Sequence, residues 1–242
     1  MRIQPLFTSV LTGVAAALLL ATSAQATLLG RDISGNAVAT SAASAVFFYD
    51  TDRNITWLRN ANAAAGSSFD NGTSSTDGKM GWSNAMAWAD ALTVGSFSDW
   101  RLPVGQLVPS CIFNCTNTEL GHLWYSELGN AVGSLPFFDV IGTVNTGDFQ
   151  NLLLDRFGYL WTGTEVDATH ALEFGFGIGR KDTRLKESVL NFPAEVQALA
   201  VRDGDVLATV TPPNDVPEPG TLLLTVAALA GLGVARRRRR KN

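Results

Sequence analysis

Asp99-Trp100-Arg101-Leu102-Pro103 is the stretch on which the reading of the folded body turns. Pro103 pushes Leu102 toward an extended backbone and stops any helix there. Upstream, past Gly95-Ser96-Phe97-Ser98, the residues Trp82, Ala85, Met86, Trp88, Ala89 and Leu92 place large apolar groups at helical spacing. They predict one amphipathic helix over residues 82–93, capped by Ser83 or Asn84. Residues 66–78 are rich in Ser, Thr, Asn, Asp and Gly without periodicity, which reads as an exposed loop. Further upstream, Ala45-Val46-Phe47-Phe48-Tyr49-Asp50 and Ile55-Thr56-Trp57-Leu58 are β-prone runs around Thr51-Asp52-Arg53-Asn54, so a hairpin is expected near the domain start.

Downstream of the pentad, residues 119–127, with Leu120, Leu123 and Trp124, suggest a second, shorter helix. Three strands are then expected, at Tyr159-Leu160-Trp161-Thr162-Gly163-Thr164-Glu165, at Ala171-Leu172-Glu173-Phe174-Gly175-Phe176 and at residues 195–202. The glycine-rich Phe174-Gly175-Phe176-Gly177-Ile178-Gly179-Arg180 lacks the strand-to-helix context and downstream acid of a dinucleotide site, and reads as a turn between strands. The order of elements is that of an α+β domain. Trp57, Trp82, Trp88, Trp100 and Trp161 all fall at core-pattern positions, which favours packing over a sugar-stacking face.

With 242 residues, 46% of them hydrophobic, the chain can fill the core of one good-sized domain or two small ones. The net charge of −4 hides an asymmetry, because Arg236, Arg237, Arg238, Arg239, Arg240 and Lys241 crowd the end. Setting aside Arg2 and those six leaves 11 of the 18 basic residues against 21 of the 22 acidic ones, the remaining acid being Glu218. A body near −10 repels phosphates, so nucleic acid is excluded as a partner. Cys111 and Cys115 lie too close together, and are too few, for a disulfide framework or a complete zinc site. Two readings stay open for them: a single local disulfide, or two reduced thiols.

No catalytic set emerges from spacing. His122 and His170 are the only histidines, and neither has the neighbours of a zinc or deaminase motif, which favours structural or surface roles. A nucleophilic Cys111 or Cys115 served by His122 has no local signature. Asp50, Asp52 and Asn54 alternate as calcium ligands can, but an EF-hand loop needs glycine and glutamate where Ile55 and Ala61 stand. The sequence therefore predicts no metal or other cofactor set, and a calcium site built from scattered carboxylates competes with plain solvated surface charge. Three glycosylation sequons start at Asn54, Asn71 and Asn114.

The two ends carry the sharper signals. Arg2, the apolar run over residues 10–21 and the small residues ending in Ala24-Gln25-Ala26 read as a signal peptide, with signal peptidase cutting after Ala26 to leave Thr27 first. Thr211-Pro212-Pro213-Asn214-Asp215 is an extended linker. Val216-Pro217-Glu218-Pro219 follows, then an apolar stretch over residues 220–235, then the cations. At about 1.5 Å per residue a helix there falls short of a hydrocarbon core of about 30 Å, so a marginal, transient span of the inner membrane is expected. The cations from Arg236 to Arg240 hold the end in the cytoplasm and leave Pro217–Pro219 on the outer face, where two fixed φ angles pre-shape a recognition segment.

This tail resembles the PEP-CTERM sorting signal: a Pro-Glu-Pro box, a short transmembrane helix and an arginine-rich end, in that order. The resemblance implies recognition by exosortase in a Gram-negative bacterium that makes extracellular polysaccharide. The body carries a second resemblance over about residues 46–203. The early Tyr49-Asp50 and Thr56-Trp57-Leu58, the Trp82 helix, the tetrad Trp100-Arg101-Leu102-Pro103, the late Tyr159-Leu160-Trp161 strand and a closing Ala200-Val201-Arg202 resemble the Lcl C-terminal domain family. That implies a C-type lectin-like mixed domain of short helices and antiparallel strands, with the tetrad a structural motif. Two features depart from the family: Thr162-Gly163 replaces its usual serine pair, and the insert over residues 108–117 carries the cysteines.

The expected organisation is a signal peptide over residues 1–26, an exported domain over 27–210, a linker over 211–215 and a sorting tail over 216–242. The corresponding function is a non-enzymatic protein at the cell surface or in the extracellular matrix, contacting polysaccharide or another surface protein. The alternative is a calcium-dependent lectin or an enzyme acting on envelope glycans.

Overall fold

The computed structural model describes residues 28–107, 111–132, 144–152, 158–187 and 196–207. The expected signal peptide with Ala24, Ala26 and Thr27, the linker, and the tail with its Pro-Glu-Pro box and transmembrane helix lie outside the described residues. Among the described residues no helix is long and apolar enough to cross a membrane.

The body is sheet-rich. One sheet contains β1 (Leu28–Arg31), β2 (Ala37–Val38), β3 (Phe47–Asp50), β4 (Ile55–Leu58) and β10 (Val201–Asp203), in the order β10-β4-β3-β1-β2. The other contains β5 (Lys79–Met80), β6 (Tyr159–Glu165), β7 (His170–Gly175), β8 (Arg180–Leu185) and β9 (Val196–Gln197), in the order β5-β9-β6-β7-β8. All pairings are antiparallel except that of β6 with β9. Helices are few: α1 (Trp82–Ala91), and α2 (Glu119–His122), which runs on into a wider π-type turn over Leu123–Glu127. The first sheet reaches back to Leu28.

The hairpin forms where the β-prone runs predict it. Phe47 pairs with Leu58 and Asp50 with Ile55. The Asp50 carboxylate closes the turn by accepting from the backbone N–H groups of Asp52 and Arg53, while Asn54 takes the left-handed conformation asparagine tolerates, at φ 52°. Successive side chains of a strand point to opposite faces, and here both faces are buried. Phe48, Trp57 and Leu160 pack with Leu120, Leu123 and Trp124 in one apolar cluster. Phe47, Leu58 and Trp161 pack in another with Ala85, Trp88 and Ala89 of α1. Of the six tryptophans five are buried and Trp82 is half-buried, in keeping with their core pattern.

Two local expectations are corrected. First, neither Ser83 nor Asn84 caps α1. Gly81 holds the N-cap position without a side-chain bond, and the free amides are met from 104 positions away along the chain. Trp82 N donates to the Lys186 carbonyl at 2.7 Å, and Ser83 N to Glu187 Oε1 at 3.3 Å. Second, the single strand expected over residues 195–202 is divided. β9 belongs to one sheet and β10 to the other, and the fully buried Ala198-Leu199-Ala200 carries the chain between them. Alternation of side chains cannot report a change of pairing partner, because a strand shows the same period whichever sheet it joins.

Candidate functional site

The tetrad Trp100-Arg101-Leu102-Pro103 stitches the two sheets together. Asp99 enters it at φ 65°, held by Arg202, whose Nη2 donates to its Oδ2 at 3.0 Å. Trp100 and Leu102 are buried, and Trp100 Nε1 donates to the Phe97 carbonyl. Arg101 exchanges both backbone hydrogen bonds with Val201 of the first sheet. The Pro103 carbonyl accepts from Gly163 N at 2.8 Å, at the irregularity in the register of β6 in the second sheet. The Arg101 guanidinium grips Glu119, at the start of α2, and Asp203. The Trp100 indole, the Arg101 backbone and guanidinium and the Pro103 carbonyl are thus all spent on the fold.

A different set of side chains has the character of a site. Asp50 at the end of β3, His122 at the end of α2 and Glu127 at the end of the π-type turn bring Oδ2, Nε2 and Oε1 within 4.8 Å of one another. His122 Nε2 is 3.2 Å from Glu127 Oε1 and 3.9 Å from Asp50 Oδ2. In an α-helix, residues five apart lie about 140° around the axis. The wider turn, closed by Leu128 N donating to the Leu123 carbonyl at 3.0 Å, brings His122 and Glu127 to one side instead. Thr118 caps α2 by accepting from Gly121 N, and its own hydroxyl donates to the Cys115 carbonyl. Cys115 is joined to Cys111 in a disulfide, so neither cysteine offers a free thiolate. Arg53, in the hairpin turn, donates to the carbonyls of Thr116 and Asn117 and binds that turn to the same loop.

Asp50 is fully buried. Its Oδ1 accepts the two turn amides, but among the described residues its Oδ2 has no hydrogen-bond partner. A buried carboxylate oxygen without a donor is costly. Burial pushes the Glu127 carboxyl up to about 7, reinforced by the negative charges of Asp50 and Asp52. The His122 imidazole is pushed down by burial, and Asp50 opposes that shift. Withdrawal from water therefore works against carrying charge on Glu127 or His122.

The remaining candidates are accounted for by local structure. His170 bonds to Asp167 and Thr169 in an exposed turn, where the amide and hydroxyl of Thr169 hold the Asp167 carboxyl below its usual range. Asn54 accepts from the Tyr49 hydroxyl, and Asp52 is exposed, so of the alternating trio only Asp50 turns inward. Spacing along the chain pointed to no metal set because Asp50 is 72 positions from His122, and because a histidine and a glutamate five apart match no α-helical pattern. The turn's departure from α geometry is the signal that was missed.

Residues 215–240 match the model of the PEP-CTERM protein-sorting motif. That motif is the recognition signal for exosortase, and it marks this chain as exported, with a membrane-anchored precursor. No curated protein and no solved structure matches the chain.

Proposed function

We propose that this chain is a non-enzymatic protein of the cell surface or extracellular matrix. Its body crosses the inner membrane behind a signal peptide and waits in the periplasm on its tail until exosortase acts. The observation that carries this reading is the sorting motif over residues 215–240, preceded by a proline-rich linker. Pro217 and Pro219 fix the backbone on either side of Glu218, and so present the box to a membrane enzyme at low entropic cost. Replacing Pro217 and Glu218 together and following the tail by mass spectrometry tests it. The tail should stay attached and the protein should stay in the inner-membrane fraction, whereas unchanged processing removes the reading.

For the body, the resemblance to the Lcl C-terminal domain family supports a lectin-like domain that contacts extracellular polysaccharide or another surface protein. The enclosure of the tryptophans speaks against an aromatic sugar platform built from them. A second reading is a calcium-dependent lectin or an enzyme acting on envelope glycans: the acidic character of the body supports the lectin, and the convergence of Asp50, His122 and Glu127 the enzyme. A glycan array run with and without calcium separates the two readings, since a calcium-dependent lectin gives sugar-competable binding that calcium removal abolishes, whereas the first reading gives no calcium-dependent binding. Hydrolysis of a labelled polymer would favour the enzyme.

A further inference from the structure

We propose that Asp50 Oδ2, His122 Nε2 and Glu127 Oε1 form a binding site for one divalent cation of the zinc class, clamping the β3–β4 hairpin to the helical segment. The inference is independent of how the chain is sorted.

Three observations carry it. The first is geometry. Tetrahedral ligands about 2.0–2.1 Å from zinc stand about 3.3 Å apart. The His122–Glu127 separation is 3.2 Å, Asp50 Oδ2 lies 3.9 Å from the same nitrogen, and no two of the three atoms are more than 4.8 Å apart, so tetrahedral spacing needs a side-chain adjustment of about 1.5 Å at most.

The second is the bonding left undone. His122 Nε2 holds at most one proton, and a proton shared with Glu127 leaves Asp50 Oδ2 without a donor, because 3.9 Å is too long for a hydrogen bond. A proton on Glu127 directed at the imidazole leaves it equally alone. One cation at the shared point satisfies all three atoms together.

The third is preorganisation. The Asp50 side chain is fixed by the amides of Asp52 and Arg53, which accounts for Oδ1 and leaves Oδ2 directed at the cluster. The π-type turn places the other two ligands, and Thr118 and the disulfide loop brace the helix that bears them. Outer-shell bonds of this kind hold metal ligands in position.

The donor set selects the class of ion. An imidazole with two carboxylates suits zinc and its first-row neighbours, whereas calcium takes six to eight oxygens, and this cluster presents two carboxylates and a nitrogen. The Asp50 and Glu127 side chains are 0% and 1% exposed, and the imidazole, at 11%, provides the approach from solvent. With three protein ligands, a fourth position is left for water.

The test uses the full chain purified in detergent and stripped with EDTA. Titration calorimetry and thermal melts are run with Zn2+, Mn2+ and Ca2+, and Co2+ serves as a spectroscopic probe. One Zn2+ per chain, a rise in Tm and the absorption of low-coordinate Co2+ are expected. Glu127→Gln keeps the side-chain shape and should weaken Zn2+ by more than the roughly 10–100-fold that loss of an outer-shell partner typically costs, while His170→Ala at the exposed turn should leave binding unchanged. Because Asp50→Asn risks the hairpin turn itself, the wild-type titration and the Co2+ spectrum stand without it. Absence of stoichiometric Zn2+ binding, undiminished binding in Glu127→Gln, loss of binding in His170→Ala, or preference for Ca2+ over Zn2+ would each overturn the proposal.

Discussion

Arg101 holds Glu119 with both arms of its guanidinium, Nη1 to Oε2 at 2.9 Å and Nη2 to Oε1 at 2.8 Å, and so ties the tetrad to the first residue of α2. Glu119 Oε2 also accepts from Val104 N, just past the tetrad. The pair is partly shielded from water, and its parallel, bidentate geometry is the one in which arginine and lysine are least interchangeable. Through it the connection between the two sheets also sets where the helix bearing His122 begins.

Arg101→Lys should therefore destabilise the protein by about 1.5–3 kcal/mol, the range for hydrogen bonds to charged groups. A lysine cannot reach Glu119 in two places and Asp203 as well. Denaturant unfolding of wild type and variant measures the loss, and Glu119→Gln should show much of the same effect, since the two residues act as one unit.

Gly121→Ala should be costly although alanine is the better helix former. A Cβ at residue 121 would stand 2.0 Å from the Cys115 carbonyl oxygen, a backbone atom with little room to retreat. The helix and the disulfide loop must separate, at about 1–3 kcal/mol or more. A fall in the unfolding midpoint with an unchanged denaturant slope checks this.

Reduction of the Cys111–Cys115 disulfide should leave the protein folded. The bond closes a loop of sequence separation 4, for which the loss of unfolded-state entropy amounts to about 2 kcal/mol at most. Thermal melts with and without reductant should differ by a few degrees, and a cooperative transition should persist in both.

In the presence of chelator, the share of the stability that Glu127 contributes should decline as pH rises. Glu127 takes up its proton more readily in the folded state, near 7, than at its ordinary value of 4.5. Between those values the folded chain binds more protons than the unfolded one, so its contribution is complete below about 4.5 and is lost through about 7. Glu127→Gln should flatten that part of the profile in a denaturation series across pH.

The amino-acid sequence by itself determined the parts written in short-range chemistry. The 45–58 hairpin, the helix from Trp82, the short helical segment from Glu119, the strand at Tyr159–Glu165 and the inward tryptophans follow from alternation, helical spacing and turn residues, patterns confined to short stretches of the chain. The sorting tail is equally local, since its order of proline box, apolar run and cations is its meaning. Only the tertiary structure decided that residues 196–203 serve two sheets, that Lys186 and Glu187 cap a helix beginning at Trp82, and that Asp50 meets His122 and Glu127. Those features depend on which distant segments pair. Pairing is settled by the burial of whole faces rather than by any local pattern, so residues far apart in the chain converge without a trace in their spacing.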